Sequence, residues 1–184
     1  LSEYIVHRKL ILDLLKKRLE MGGDGKYSLE EAVHSIIFPL QSTSDDIDYE
    51  RQNLWIIDEK LVYHRYLASD KPLSSLGEVA DVGSKKEPDL IIFDTPYAFA
   101  EDGAAEFSAI VIIEFKRPAR DDYSEGKNPL TQVYGYIDDI RDGRTKDRKG
   151  RPMNVPPNLP VYAFIVADIT PTMRRCARDA SLTV

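Results

Sequence analysis

Glu114 and Lys116 stand one residue apart at the end of Ser108-Ala-Ile-Val-Ile-Ile-Glu-Phe-Lys, a run that is otherwise apolar and rich in β-branched residues. Such a run reads as a buried strand. Strand side chains alternate, so positions 114 and 116 share one face while Phe115 takes the other. Burying charge is costly, and charges at the end of a core strand must answer to each other, to a metal or to a ligand. Another acid, Asp89, opens a second strand-like run, Glu87-Pro-Asp-Leu-Ile-Ile-Phe. Two carboxylates and an ammonium on neighbouring strands are the parts of a metal-dependent phosphodiester-cleaving site. Mg²⁺ or Mn²⁺ takes hard oxygen ligands, commonly one or two carboxylates completed by water and phosphate. It acts as Lewis acid and water activator. Asp89 and Glu114 supply the carboxylate pair, and the backbone carbonyl of Phe115 a third ligand. Lys116 can orient the attacking water and stabilise developing charge. The plainer alternatives are an ion pair between Glu114 and Lys116 at a strand end, and an acid at 89 that merely opens a strand after a proline turn.

These residues need a scaffold, and the periodicity predicts one. Residues 3–20 place Ile5, Val6, Leu10, Ile11, Leu14, Leu15 and Leu19 at helical spacing, followed by a Met-Gly-Gly-Asp-Gly stop. Ser28 and Glu31 form a capping-box signature for a helix with Leu29, Val33, Ile36 and Ile37 on its apolar face. The runs at 54–58 and 61–67 read as a hairpin or as one bent strand, with Trp55 in the core and Tyr63 and Tyr66 packed on the strand. Strands are expected at 89–94, 108–115 and 161–167, and a helix from Asn128 carrying Leu130, Val133, Tyr134, Ile137 and Ile140. Residues 95–107 and 142–160 read as connections. The expected class is α/β, a central mixed sheet flanked by helices with an extra N-terminal helix. The last strand joins the same sheet through a crossover.

Pro88-Asp89 and Glu114-Phe115-Lys116, with Gln132-Val-Tyr-Gly-Tyr136 on the following helix, resemble the PD-(D/E)xK nuclease superfamily, in its RecB-like branch with a Gln-x-x-x-Tyr element. The resemblance covers residues 28–167 and implies a restriction-endonuclease-like αβββαβ core. It implies that Gln132 and Tyr136, four apart on one helix face, line the active site; as ordinary helix residues they would pack the tyrosine on the sheet. It also implies a further acid on the first core helix. At about 100° per residue, Glu30 lies beside the apolar face and Glu31 almost opposite, so Glu30 is the candidate. His34 flanks the same edge, and a structural histidine is the plainer reading. The wording around Asn53-Leu-Trp-Ile-Ile-Asp and Ile113-Glu-Phe-Lys-Arg-Pro is similar to nuclease-like segments of long bacterial proteins with a GHKL-type ATPase region.

Composition bounds the rest. The chain has 184 residues, 42% hydrophobic and 30% charged, ordinary for a globular domain. No run reaches the roughly 18 apolar residues of a membrane span. The lone Cys176 makes no internal disulfide, in keeping with a cytoplasmic setting, and no Cys/His cluster suggests zinc. A net charge of −6 argues against whole-surface nucleic-acid binding. A local basic stripe remains: Lys116, Arg117, Arg120, Lys127, Arg141, Arg144, Lys146, Arg148, Lys149 and Arg151. The expected organisation is an N-terminal helical extension, 1–27, and a nuclease-like domain, 28–184, cut from a longer protein. The expected function is metal-dependent hydrolysis of phosphodiester bonds, in DNA rather than RNA. The expected partners are nucleic acid, an ATPase region of the same longer chain and a second copy as a homodimer. The alternative is an inactive nuclease-like module that binds DNA or a partner.

Overall fold

The structure is a computed structural model that describes residues 1–75, 81–82, 84–94, 108–141, 145–146 and 158–180. The expected connections at 95–107 and most of 142–160 lie outside the described residues, as do Arg144, Arg148, Lys149 and Arg151 of the basic stripe.

Helix α1 spans Ser2–Leu19 and α2 Glu30–Ile37. Strands β1 (His64–Ser69), β2 (Asp81–Val82), β3 (Leu90–Asp94) and β4 (Ile110–Phe115) follow. Then come α3 (Pro129–Arg141), β5 (Thr145–Lys146), β6 (Val161–Val166) and α4 (Pro171–Asp179). Four strands form one mixed sheet in the order β1-β3-β4-β6. β3 is antiparallel to both β1 and β4, and β6 returns parallel to β4. β2 and β5 form a separate two-stranded ribbon. Among the described residues no helix is long and apolar enough to cross a membrane.

Alternation along β3 and β4 divides the core into two layers. Leu90, Ile92, Val111, Ile113 and Phe115 face α2, where Val33 and Ile37 meet them. Ile91, Phe93, Ile110 and Ile112 face α3, where Val133, Tyr136 and Ile140 complete the layer. Helices thus flank the sheet on both sides, and β4, buried along its whole length, is sandwiched between them.

Several expectations are corrected. Residues 54–58 form no strand; Leu54–Ile56 and Glu59–Val62 are 3₁₀ turns, and the first strand begins at His64. The cause is tertiary. Buried Asn53 receives its place from outside the segment, donating from Nδ2 to the Ile36 carbonyl at 2.8 Å and from its own N–H to that of Ile37. The capping box does not form: α2 starts at Glu30, with Leu29 at the N-cap and no side-chain cap. Leu29 is exposed rather than on the apolar face. Trp55 is half-buried, with the Arg8 guanidinium 4.2 Å over its ring. That arginine, bidentate to Glu59, ties α1 to the body; α1 itself buries no residue.

Candidate active site

Asp89 lies one step before the Leu90–Ile113 pair of the β3–β4 ladder, which sets it opposite Glu114. Directly opposite side chains share a face, with Cβ atoms about 4.5–5.5 Å apart. That face is the one covered by α3. Asp89 is also fixed individually: its Oδ2 accepts the Phe115 N–H at 2.6 Å, and its carbonyl accepts the Asp70 N–H at 2.9 Å. The N–H and C=O of one strand residue point to the same edge. The Phe115 carbonyl is therefore directed toward the β3 side as well.

Glu114 and Lys116 are 2% and 8% exposed, and the ammonium donates to Glu114 Oε1 at 2.6 Å. The ion pair foreseen as the plain alternative is present. It leaves one acceptor over, because Glu114 Oε2 is buried with no hydrogen-bond partner. Oε1 also accepts Gln132 Nε2 at 2.7 Å. The same amide lies 2.7 Å from the Tyr136 hydroxyl, which donates to the Glu87 carbonyl at 3.1 Å. Gln132 and Tyr136 are thus a relay that fixes Glu114 from the α3 side and returns to the segment leading into Asp89. Desolvation by burial, then the Glu114 charge, push the phenol of Tyr136 above its ordinary range.

The two acids strain against each other. Burial, then the charge of Glu114, push the Asp89 carboxyl up from 3.8 to about 7. Burial likewise raises Glu114, offset in part by Lys116. Glu30 adds a negative field to both. It belongs to α2, beyond the opposite face of the sheet, and its own contact is with Arg120 Nη1, 4.0 Å away.

His34 is the expected structural histidine, set deeper than a surface or half-buried place, and its partner Ser69 escaped the sequence reading. The histidine is 3% exposed; it stacks on Phe115 at 4.9 Å and its Nε2 meets Ser69 Oγ at 2.9 Å. Burial lowers its pKa to about 4, and it does not touch the acid pair. Nothing in the sequence marked Ser69, which meets His34 from 35 residues away. Lys86 reaches across α3, donating to the Gly135 carbonyl at 3.0 Å with Asp139 at 3.1 Å. A Cβ at Gly135 would stand 3.1 Å from that ammonium, the mobile end of a half-exposed side chain.

Among the described residues no group of three or more His, Cys, Asp or Glu forms a metal-holding cluster. The donor set that remains is two carboxylates, one with an unclaimed buried oxygen, and a carbonyl. That set suits a hard divalent cation that keeps water and substrate oxygens for its other positions. Comparison of the chain with protein-family models, curated proteins and solved structures returned no match.

Proposed function

We propose that the protein is a metal-dependent nuclease hydrolysing phosphodiester bonds, in DNA rather than RNA, on a restriction-endonuclease-like αβββαβ core. The observation that carries the reading is the convergence of Asp89, Glu114 and Lys116 at one sheet end, with Glu114 Oε2 buried and unpartnered. Asp89, Glu114 and the Phe115 carbonyl would hold Mg²⁺ or Mn²⁺. When bound, the ion would polarise the phosphoryl group and acidify a water. The chain's own residues do the remainder. Gln132 and Lys116 both engage Glu114 Oε1, which leaves Oε2 without a partner. An ammonium has three donors; Lys116 commits one to Glu114 and can offer another to a phosphoryl oxygen as charge develops there. Tyr136 keeps Gln132 oriented from behind.

A second reading is a nuclease-like module that binds DNA or a partner without cutting, inside a larger ATPase-containing protein. One observation favours it: the Lys116 ammonium already neutralises Glu114 at 2.6 Å, so the site is satisfied in part without any cation.

Supercoiled plasmid incubated with Mg²⁺, Mn²⁺ or EDTA separates the two. Cation-dependent nicking or linearisation is expected, reduced about 10²-fold or more in Glu114→Gln. Equal conversion by that variant and the wild type would sink the catalytic reading. DNA affinity that survives both EDTA and Glu114→Gln, with no cutting, would establish the binding module.

A further inference from the structure

The turn after β4 is held far more firmly than a connection requires. Ala119 adopts φ 56°, a left-handed conformation unfavourable for a residue with a Cβ. Two residues between β6 and α4 and one in the first turn of α4 fasten the turn. The Asp168 carboxylate accepts the Ala119 N–H, and the Thr170 hydroxyl donates to the Arg120 carbonyl at 3.1 Å. Asp121 accepts both the N–H of Thr172, at 2.9 Å, and its hydroxyl. Beyond the turn, buried Tyr123 is rooted against Met173 and Cys176.

The product of this scaffolding is the position of one guanidinium. Arg120 lies 5.3 Å over the Tyr123 ring, its Nε donates to Asp122 Oδ1 at 2.9 Å, and its Nη1 stands 4.0 Å from Glu30 Oε2. Glu30 is the acid whose field reaches both Asp89 and Glu114. Arg120 follows Lys116 by four residues through this turn, and its ion-pair partner Glu30 is the candidate further acid of the first core helix. Arginine carries five N–H donors in a planar fork. Among the described residues only Nε makes a hydrogen bond; Nη1 is engaged by Glu30 through a 4.0 Å ion pair, long enough to be exchanged for a closer anion. A planar fork matches the paired oxygens of a phosphodiester. Lys127, 3.4 Å from Asp122, and exposed Arg117 extend positive charge along the same turn.

We infer that Arg120 is the phosphate clamp of this site. Its Nη groups grip a backbone phosphate of the nucleic-acid strand entering over Asp89 and Glu114, and Asp122 and Glu30 park the guanidinium until the strand arrives. The identity of the substrate rests on the nuclease reading; the clamp itself is a positioning contact.

The test is binding of a fluorescein-labelled DNA duplex in Ca²⁺, by anisotropy, across roughly 50–200 mM salt, beside cleavage in Mg²⁺. Arg120→Ala should weaken binding about three- to tenfold and flatten the log–log salt dependence by about one charge. Arg120→Lys should restore the salt slope but only part of the affinity, since it keeps the charge and loses the fork. Asp122→Asn should move the other way, tightening binding about two- to fivefold by freeing the guanidinium, and this gain should vanish in the Arg120→Ala background. Thermal melts of all variants check folding; Asp122→Asn carries the test if Arg120→Ala is unfolded. An unchanged slope in Arg120→Ala, weaker binding by Asp122→Asn, a gain that persists without Arg120, or no duplex binding by the wild type overturns the clamp. Cleavage that depends on Asp89 beside an unmoved slope leaves the nuclease reading intact without the clamp. A moved slope beside Asp89-independent cleavage does the reverse.

Discussion

Asp89→Asn should lower cation-dependent cleavage by about 10²–10³-fold or more, and in the absence of divalent cation it should make the protein more stable at pH 8. The second effect follows from linkage. The folded protein holds the Asp89 carboxyl at about 7, against an ordinary 3.8, because burial and then Glu114 disfavour its charge. The folded state thus keeps a proton that the unfolded chain releases. The stability due to that proton is complete below about pH 4 and is lost as the pH rises to about 7. Glu114, also raised, acts with the same sign. Asparagine has no such proton to surrender, and its amide oxygen can still accept the Phe115 N–H. The variant should exceed the metal-free wild type by on the order of 2 kcal/mol at pH 8, and the gap should close toward pH 4. Added Mg²⁺ should stabilise the wild type more at pH 8 than at pH 6 and do little for the variant. Urea melts at those pH values, with and without Mg²⁺, read all of this. A wild type whose stability rises from pH 4 to 8 in parallel with the variant's would refute the conflict between the acids.

Lys116→Met should damage both folding and activity. Its ammonium is the only cation paired with Glu114 among the described residues, and Glu114 already has one oxygen without a partner. Breaking a buried pair by removing one member typically costs about 3–5 kcal/mol, since the surviving charge has no compensation. Glu114, already raised by burial, should then hold a proton more readily, because the lowering effect of Lys116 is gone. Combining Lys116→Met with Glu114→Gln should recover most of the stability, because no buried charge is left behind, while cleavage stays about 10²-fold or more below wild type. Chemical denaturation and the plasmid assay separate the two losses. If Lys116→Met alone melts like the wild type, the pair has no structural role; if it also cuts like the wild type, Lys116 has no catalytic one.

The parts of the site legible in the sequence are those set by short-range periodicity. An apolar run ending in Glu114-Phe115-Lys116 alternates in any strand, and Gln132 and Tyr136 share a face of any helix, so their mutual placement needs only the element. The mixed sheet between helices followed from the same patterns. The segment from Asn53 to Val62 was illegible because its turns depend on backbone carbonyls of α2 that Asn53 reaches, and apolar composition alone cannot tell a strand from a packed turn. Ser28 was misread because the cap is a matter of where the chain enters the helix; the entry falls one residue later, which places Glu30 in the first turn facing Arg120. The clamped turn at 117–123 was invisible for a related reason: its fastenings, Asp168, Thr170 and Thr172, come from about 50 residues further on.

Phe115 serves two neighbourhoods at once: its amide suspends Asp89 above the sheet while its ring rests on His34 below. Harm done at His34 or Ser69 would tilt that ring and, with it, the hook from which the carboxylate hangs. A genetic screen scored only by loss of activity would gather hits at both positions and credit them with chemistry they never perform.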